Sequence, residues 1–362
     1  MVKNLSGIDT LRGLAVILVV VYHFFELLGL QKHMLYPYVV SIGQLGVPLF
    51  FIISGYLIYK SIDNKIKNYN FKLGILRYST SRLFRILPAY YFNFSIVLLI
   101  SVFFLDNHYV FSFQFVKQIF SNLTLSSYFI YQSSGLGLNG AYWTLSIEML
   151  WYFLAPFLFI FIKKDYYYYL ILFFSFLYLL SIDLGLFDII FHLDKTKENY
   201  IAKLFFFSFQ LPGQISYFIF GIFIYKYMYS YHFNKVHLNI LYFFLLFIFF
   251  IFISNQTIYL NSFLLRNTIT LITTSLLFIL FYRSQIKYIL PINFIGKISY
   301  SLYLWHMPIL YILKKSSIQE ILTPLNIFLV FSILLFFIST LSYYLIEERG
   351  LYLGRKLNKK LI

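Results

Sequence analysis

Apolar runs long enough to cross a bilayer recur from one end of this chain to the other, and they decide what it can fold into. Ten stretches qualify: 11–30, 44–60, 83–105, 141–162, 167–187, 208–228, 237–254, 265–283, 294–313 and 323–346. A hydrocarbon core about 30 Å thick takes about 20 helical residues, and lipid offers an unpaired backbone no hydrogen bonds. With 60% of residues hydrophobic, 12% charged and a mean hydropathy of +0.78, no soluble class fits. The expected fold is all-α: a polytopic membrane protein of about ten transmembrane helices. No fixed-period repeat and no Pro/Gly/Ser linker divides it, so residues 1–362 read as a single integral-membrane domain.

Charge sets the expected orientation. With the N-terminus and C-terminus both cytoplasmic, 19 of the lysines and arginines fall in cytoplasmic segments and 8 in the opposite loops. That asymmetry follows the positive-inside rule. The net charge of +16 is then a matter of topology, with membrane lipid as partner and no nucleic acid. The apolar segment after Lys3 lacks a small-residue cleavage site and reads as an uncleaved signal anchor. Cysteine is absent, which excludes disulfides, a thiolate nucleophile and Cys-based metal sites. No pair of histidines has metal-ligand spacing, so no metal is expected. The segment 106–140 is long, nearly uncharged and rich in Asn, Ser, Gly and Tyr. Loops of that length are usually functional, and a lid over an outer site is one use for it.

Ionisable residues inside the spans are the exceptions that point to chemistry, because burying them in lipid is costly. Arg12 and His23 sit eleven residues apart, about 20° past three full turns, so they share one helix face about 16 Å apart. Asp9 and Glu26 extend the same stripe. An interfacial anchor with a hydrogen-bonded histidine fits this pattern, and so does a functional stripe. Counting from the span ends places His23 about 12 Å, and Glu148 about 10 Å, below the outer edge of the core. The same count returns His306 to nearly the depth of His23. A neutral histidine in such a layer can take a proton from a hydroxyl while a carboxylate orients it. At the cytoplasmic side Arg82 and Arg85 lie at i and i+3, with Arg77 nearby. Two forks on one face suit the phosphates of a nucleotide-bearing donor, and they equally suit lipid headgroups. Ser54-Gly55 reads first as a close helix approach, Trp143 as part of an interfacial belt, and Glu347 and Glu348 as interfacial.

Taken together, five stretches resemble the integral-membrane acyltransferase family 3, which O-acylates surface polysaccharides, lipopolysaccharide O-antigens and some small molecules. They are Ile8–Ala15 through His23-Phe24, Val47–Leu57, Arg82–Arg85, Trp143–Glu148 and Ser299–Ile309. They occur in the family's order along the whole chain. The chain departs from the family where Glu347-Glu348-Arg349-Gly350 replaces Glu-x-Pro, which is expected to affect the helix exit. The resemblance implies an O-acetyltransferase in a bacterial cytoplasmic (inner) membrane. It would use acyl-CoA (acetyl-CoA) as co-substrate and a glycan hydroxyl as acceptor. It assigns the donor phosphates to Arg12, Arg82 and Arg85. It makes His23 a general base or a transient acyl carrier, and Glu148 its orienting carboxylate. Ser54, Trp143 and His306 would shape the cavity. A polysaccharide flippase or polymerase, or an acyltransferase for small molecules, shares the composition and stays open at this point.

Overall fold

The computed structural model describes residues 3–104, 112–130, 139–228, 235–254, 262–283, 290–316 and 318–361, and among them every regular element is helical. The longer helices are α1 (Lys3–Leu27), α2 (Gly46–Asn68), α3 (Phe71–Phe104), α4 (Phe113–Leu123), α5 (Tyr142–Phe161), α6 (Tyr166–Asp183) and α7 (Leu211–Met228). Then follow α8 (Lys235–Ser254), α9 (Phe263–Arg283), α10 (Leu290–Lys297), α11 (Ser299–Lys315), α12 (Pro324–Ser342) and α13 (Glu348–Lys360). Among the described residues, eight helical segments have the length and apolarity of a membrane crossing. They coincide with eight of the ten expected spans, and the chain is a multi-pass membrane protein. The other two expected spans fall on α8 and on α10–α11, where the helix breaks at Ile298 and α11 has 17 residues.

The end of the last span differs from expectation. The chain does not leave the helix after Glu347-Glu348. A five-residue π-helical turn, Tyr343–Glu347, carries α12 into α13, which runs to Lys360. Thr323 starts α12 by accepting a hydrogen bond from the Asn326 N–H at 3.4 Å, with Pro324 in the first turn.

The Cα positions group into two compact units that interleave along the sequence. The first comprises Met1–Tyr22, His33–Lys60 and Phe157–Lys297. The second comprises His23–Lys32, Ser61–Pro156 and Ile298–Ile362.

In the first unit α2 and α7 approach backbone to backbone. A Cβ on Gly55 would fall on the Phe218 carbonyl, and one on Gly221 on the Ile52 carbonyl, so both positions require glycine. Phe51 stacks on Phe218 with ring centroids 4.7 Å apart. Asp183, at the end of α6, caps α9: its carboxylate accepts from Ser262 Oγ (2.6 Å), Phe263 N (2.7 Å) and Leu264 N (3.0 Å). The two backbone donors are N–H groups that a helix start cannot pair internally. Thr10 Oγ1 donates to Asn293 Oδ1, tying α1 to α10.

In the second unit α3 is the spine, 34 residues and about 50 Å long. Gly350 and Gly354 of α13 are buried against it, and a Cβ on Gly350 would meet the Phe84 carbonyl and Pro88. Phe24, 2% exposed, packs on Phe331 and Phe328 of α12, at centroid distances of 5.7 and 4.9 Å. This fixes the end of α1 beside the next residue back, His23. Tyr90 Oη donates to the Asn122 carbonyl at 2.8 Å, which holds α4 to α3.

Candidate active site

The two histidines expected in one layer meet. His306 is fully buried, at 0% exposure, while His23 is half-buried. His306 Nδ1 lies 2.7 Å from the Tyr303 carbonyl, and His306 Nε2 lies 3.2 Å from His23 Nδ1. A carbonyl only accepts, so Nδ1 of His306 carries the proton. Nε2 of neutral His306 is then an acceptor, and His23 donates to it from Nδ1. This assigns the basic lone pair of His23 to Nε2. The ring planes are tilted by 40°, with centroids 5.0 Å apart, so the contact is an edge-on hydrogen bond rather than a stack. A histidine held this way can accept a proton at Nε2 while its partner supports the charge that develops.

Glu148 lies on α5 in the same unit. Its carboxylate accepts from Tyr152 Oη, one turn on, at 2.5 Å. The Tyr152 carbonyl in turn accepts from Tyr78 Oη of α3 at 3.0 Å. Arg82 approaches the rings of both tyrosines, its guanidinium carbon 6.0 Å from Tyr78 and 5.9 Å from Tyr152. Arg82 and Arg85 are close enough to act electrostatically on Tyr152, as is Glu148. Trp143 is half-buried in the first turn of α5.

Cationic groups converge around the first turns of α3. Arg77 is 5% exposed and stacks on Tyr69, 3.8 Å from the ring centroid, and its Nε and one terminal nitrogen are buried with no hydrogen-bond partner. Arg82 Nε is buried and unpartnered too. Lys65 donates to the Arg77 carbonyl (2.6 Å) and Ser81 Oγ (2.5 Å), within electrostatic reach of Arg82 and Arg77. Asn358 of α13 donates to the same Ser81 oxygen at 2.9 Å. Among the described residues, none of these cations forms an ion pair within 4.0 Å.

Two of the expected site residues belong to the first unit. Arg12 sits beside Asp9, at 3.7 Å, and Ser54 is buried, 6% exposed, next to the Gly55 crossing. Part of the long outer segment, residues 105–111 and 131–138, lies outside the described residues, and with it part of the expected lid. Glu347, expected at the interface, is enclosed by protein. Glu347 is 2% exposed and accepts from Ser301 Oγ at 2.9 Å, because the π-helical turn rotates it toward α11. Among the described residues no three His, Asp or Glu side chains group as a metal site would.

Sequence reasoning missed a buried polar set around the His306 turn. Tyr142 Oη donates to Asn93 Oδ1 at 2.6 Å, and Tyr303 Oη pairs with Thr144 Oγ1 at 2.6 Å. Asn139 Nδ2 donates to the Leu304 carbonyl at 3.0 Å, and its Oδ1 accepts from the Ala141 N–H at 3.0 Å. The signal for it is Pro308, four residues after Leu304, which loosens this turn.

The second unit thus holds a hydrogen-bonded histidine pair and buried arginines among apolar helices. The acyltransferase domain model matches residues 5–347, nearly the whole chain, and the chain belongs to this family, acyltransferase 3. It is 28% identical over 369 residues to the O-acetyltransferase OatA of Staphylococcus aureus strain NCTC 8325, covering 95% of this chain and 57% of that protein. The peptidoglycan O-acetyltransferase OatA of Listeria monocytogenes serovar 1/2a is 32% identical over 174 residues, 44% of this chain and 25% of the relative. The chain thus spans a little over half the length of the Staphylococcus relative. No solved structure matches it.

Proposed function

We propose that this protein is a membrane O-acetyltransferase that moves an acetyl group from cytoplasmic acetyl-CoA to a hydroxyl of a cell-surface glycan. The observation that carries the reading is the His306–His23 contact at 3.2 Å inside an acyltransferase-family chain. His23 Nε2 takes the proton of the acceptor hydroxyl as its oxygen attacks the thioester carbonyl. The C–O bond forms, the C–S bond breaks, and the proton held on His23 passes to the leaving thiolate. His306, accepting from Nδ1–H, steadies the imidazolium in between. Glu148 supplies the compensating charge in the same unit.

The donor's phosphates fall to Arg82 and Arg85, both in the second unit. Support comes from the buried, unpartnered nitrogens of Arg82 and Arg77 and from Lys65 beside them. Charged guanidinium groups left without carboxylates are suited to phosphate oxygens. The acceptor class follows the family and the Listeria relative, whose name gives peptidoglycan. Peptidoglycan therefore stands beside O-antigen, capsule and exopolysaccharide as the polymer to assay, in the envelope of a bacterium whose cytoplasmic membrane holds the enzyme.

The test is the O-acetyl content of purified peptidoglycan and surface polysaccharide from a deletion strain, complemented with wild type or with His23→Ala. Acetylation restored by wild type alone is the expected result. Unchanged acetylation with altered polymer length or export would replace the reading with a flippase or polymerase.

A further inference from the structure

Three prolines lie inside helices of the second unit: Pro88 in α3, Pro156 in α5 and Pro308 in α11. Proline has no N–H, and its ring crowds the carbonyl four residues back, so each one frees and tilts a carbonyl. Those carbonyls belong to Phe84, Tyr152 and Leu304. Within a membrane a freed carbonyl must find another donor. Two are taken by side chains from other elements at the same distance, Tyr152 by Tyr78 Oη and Leu304 by Asn139 Nδ2, both at 3.0 Å. The third faces the Cβ-less Gly350.

The two side-chain-clamped turns are the ones that carry the site. His306 lies between Leu304 and Pro308, and Tyr152, whose hydroxyl binds Glu148, is itself the residue whose carbonyl is freed. Asn139 is 3% exposed and uses both ends of its amide, one on Leu304 and one on the start of α5. Tyr303, whose carbonyl receives His306 Nδ1–H, is held from α5 through Thr144.

We propose that Asn139 is a positioning residue for His306: it pins the proline-freed Leu304 carbonyl and so aims His306 Nε2 at His23. Tyr78 does the same for the turn that bears Glu148 and Tyr152. What the aimed pair does in catalysis rests on the acetyl-transfer reading above; the clamp itself does not.

Pro308→Ala supplies the test, because alanine at 308 has an N–H that bonds the Leu304 carbonyl within the helix. Asn139→Ala alone lowers kcat about 100-fold through misplacement of His306, with the donor KM within about twofold of wild type. Added to Pro308→Ala, the same change costs less than about threefold, since the two sites share one carbonyl. An equal loss in both backgrounds overturns the proposal. Asn139→Leu, close to asparagine in volume and without a donor, carries the same cycle if the alanine variant does not fold. Tyr78→Phe with Pro156→Ala repeats it for α5.

Ring 15N shifts of the histidine-labelled protein give a readout independent of turnover. Wild type shows His306 protonated at Nδ1, Asn139→Ala loses that signature, and the double variant regains it. A wild-type protein with the signature but no acetyl transfer defeats the functional reading and leaves the clamp standing. An unchanged signature and kcat in Asn139→Ala defeat the clamp.

Discussion

The two units bury polar groups to different ends. In the first, three charged side chains find their partners locally. Asp183 is consumed by three donors at the start of α9, Asp165 by Lys226 and Tyr227, and Arg12 lies against Asp9. In the second, Arg77 and Arg82 keep buried nitrogens unpartnered, Asn93 Nδ2 is buried and unpaired, and two histidines share one hydrogen bond. Unmatched donors in a low-dielectric interior are destabilising on their own account. Among the described residues the buried, unpartnered guanidinium nitrogens all lie in the second unit, which places the chemistry there and leaves the first as scaffold. Substitutions in the second unit should therefore strike turnover, and those in the first should strike stability.

The largest effect belongs to His23. His23→Gln is expected to remove at least about 1,000-fold of the acetyl-transfer rate, the scale of a general base, with little change in thermal stability. Arg82→Gln comes next: loss of a charge-assisted phosphate contact should raise the donor KM about 10- to 100-fold. Titration with acetyl-CoA under initial-rate conditions separates the two, since Arg82→Gln acts on KM and His23→Gln on kcat. A His23 variant that merely unfolds, or an Arg82 variant with unchanged KM, would erase the distinction between the units.

The converse prediction sits in the first unit. Asp183→Ala strips the cap of α9 and should cost about 1–2 kcal/mol of stability, read as a lower unfolding temperature in detergent, while kcat of the folded fraction is unchanged. The smallest effect is a pH dependence at Asp165. Hydrogen bonds from Lys226 and Tyr227 hold its carboxyl below the ordinary carboxylate value. A depressed folded pKa contributes stability above the unfolded pKa, about 3.9 for Asp, and loses it as pH falls through the lower folded value. Asp165→Asn should therefore lower the unfolding temperature slightly at neutral pH, with the difference beginning to shrink only as pH falls below about 4. The group is one-third exposed, so the difference should stay under about 1 kcal/mol.

How much of the fold and site is legible in the sequence follows from what a linear pattern can carry. Span length and apolarity are one-dimensional, and eight of the ten expected crossings stand where the hydropathy puts them. Helix depth is nearly one-dimensional too, which is why counting residues alone brings His23 and His306 to one layer. Azimuth is not. No count from the span ends tells that His306 faces His23, or that a π-helical turn swings Glu347 inward onto Ser301. Asn139 is hidden differently. It belongs to a loop by composition, and only the rule that Pro308 frees Leu304 gives it a task. Internal prolines within four residues of a site residue are a readable signal, and two of the three lead to a polar clamp.

The most direct test of the central claim is single-turnover transfer from acetyl-labelled acetyl-CoA by purified protein in proteoliposomes, with a soluble peptidoglycan or polysaccharide fragment inside. Wild type and Asp183→Ala, assayed below its unfolding temperature, are expected to transfer label at the same rate, and His23→Gln to transfer essentially none. Full transfer by His23→Gln, with the protein folded and the donor bound, would contradict the account.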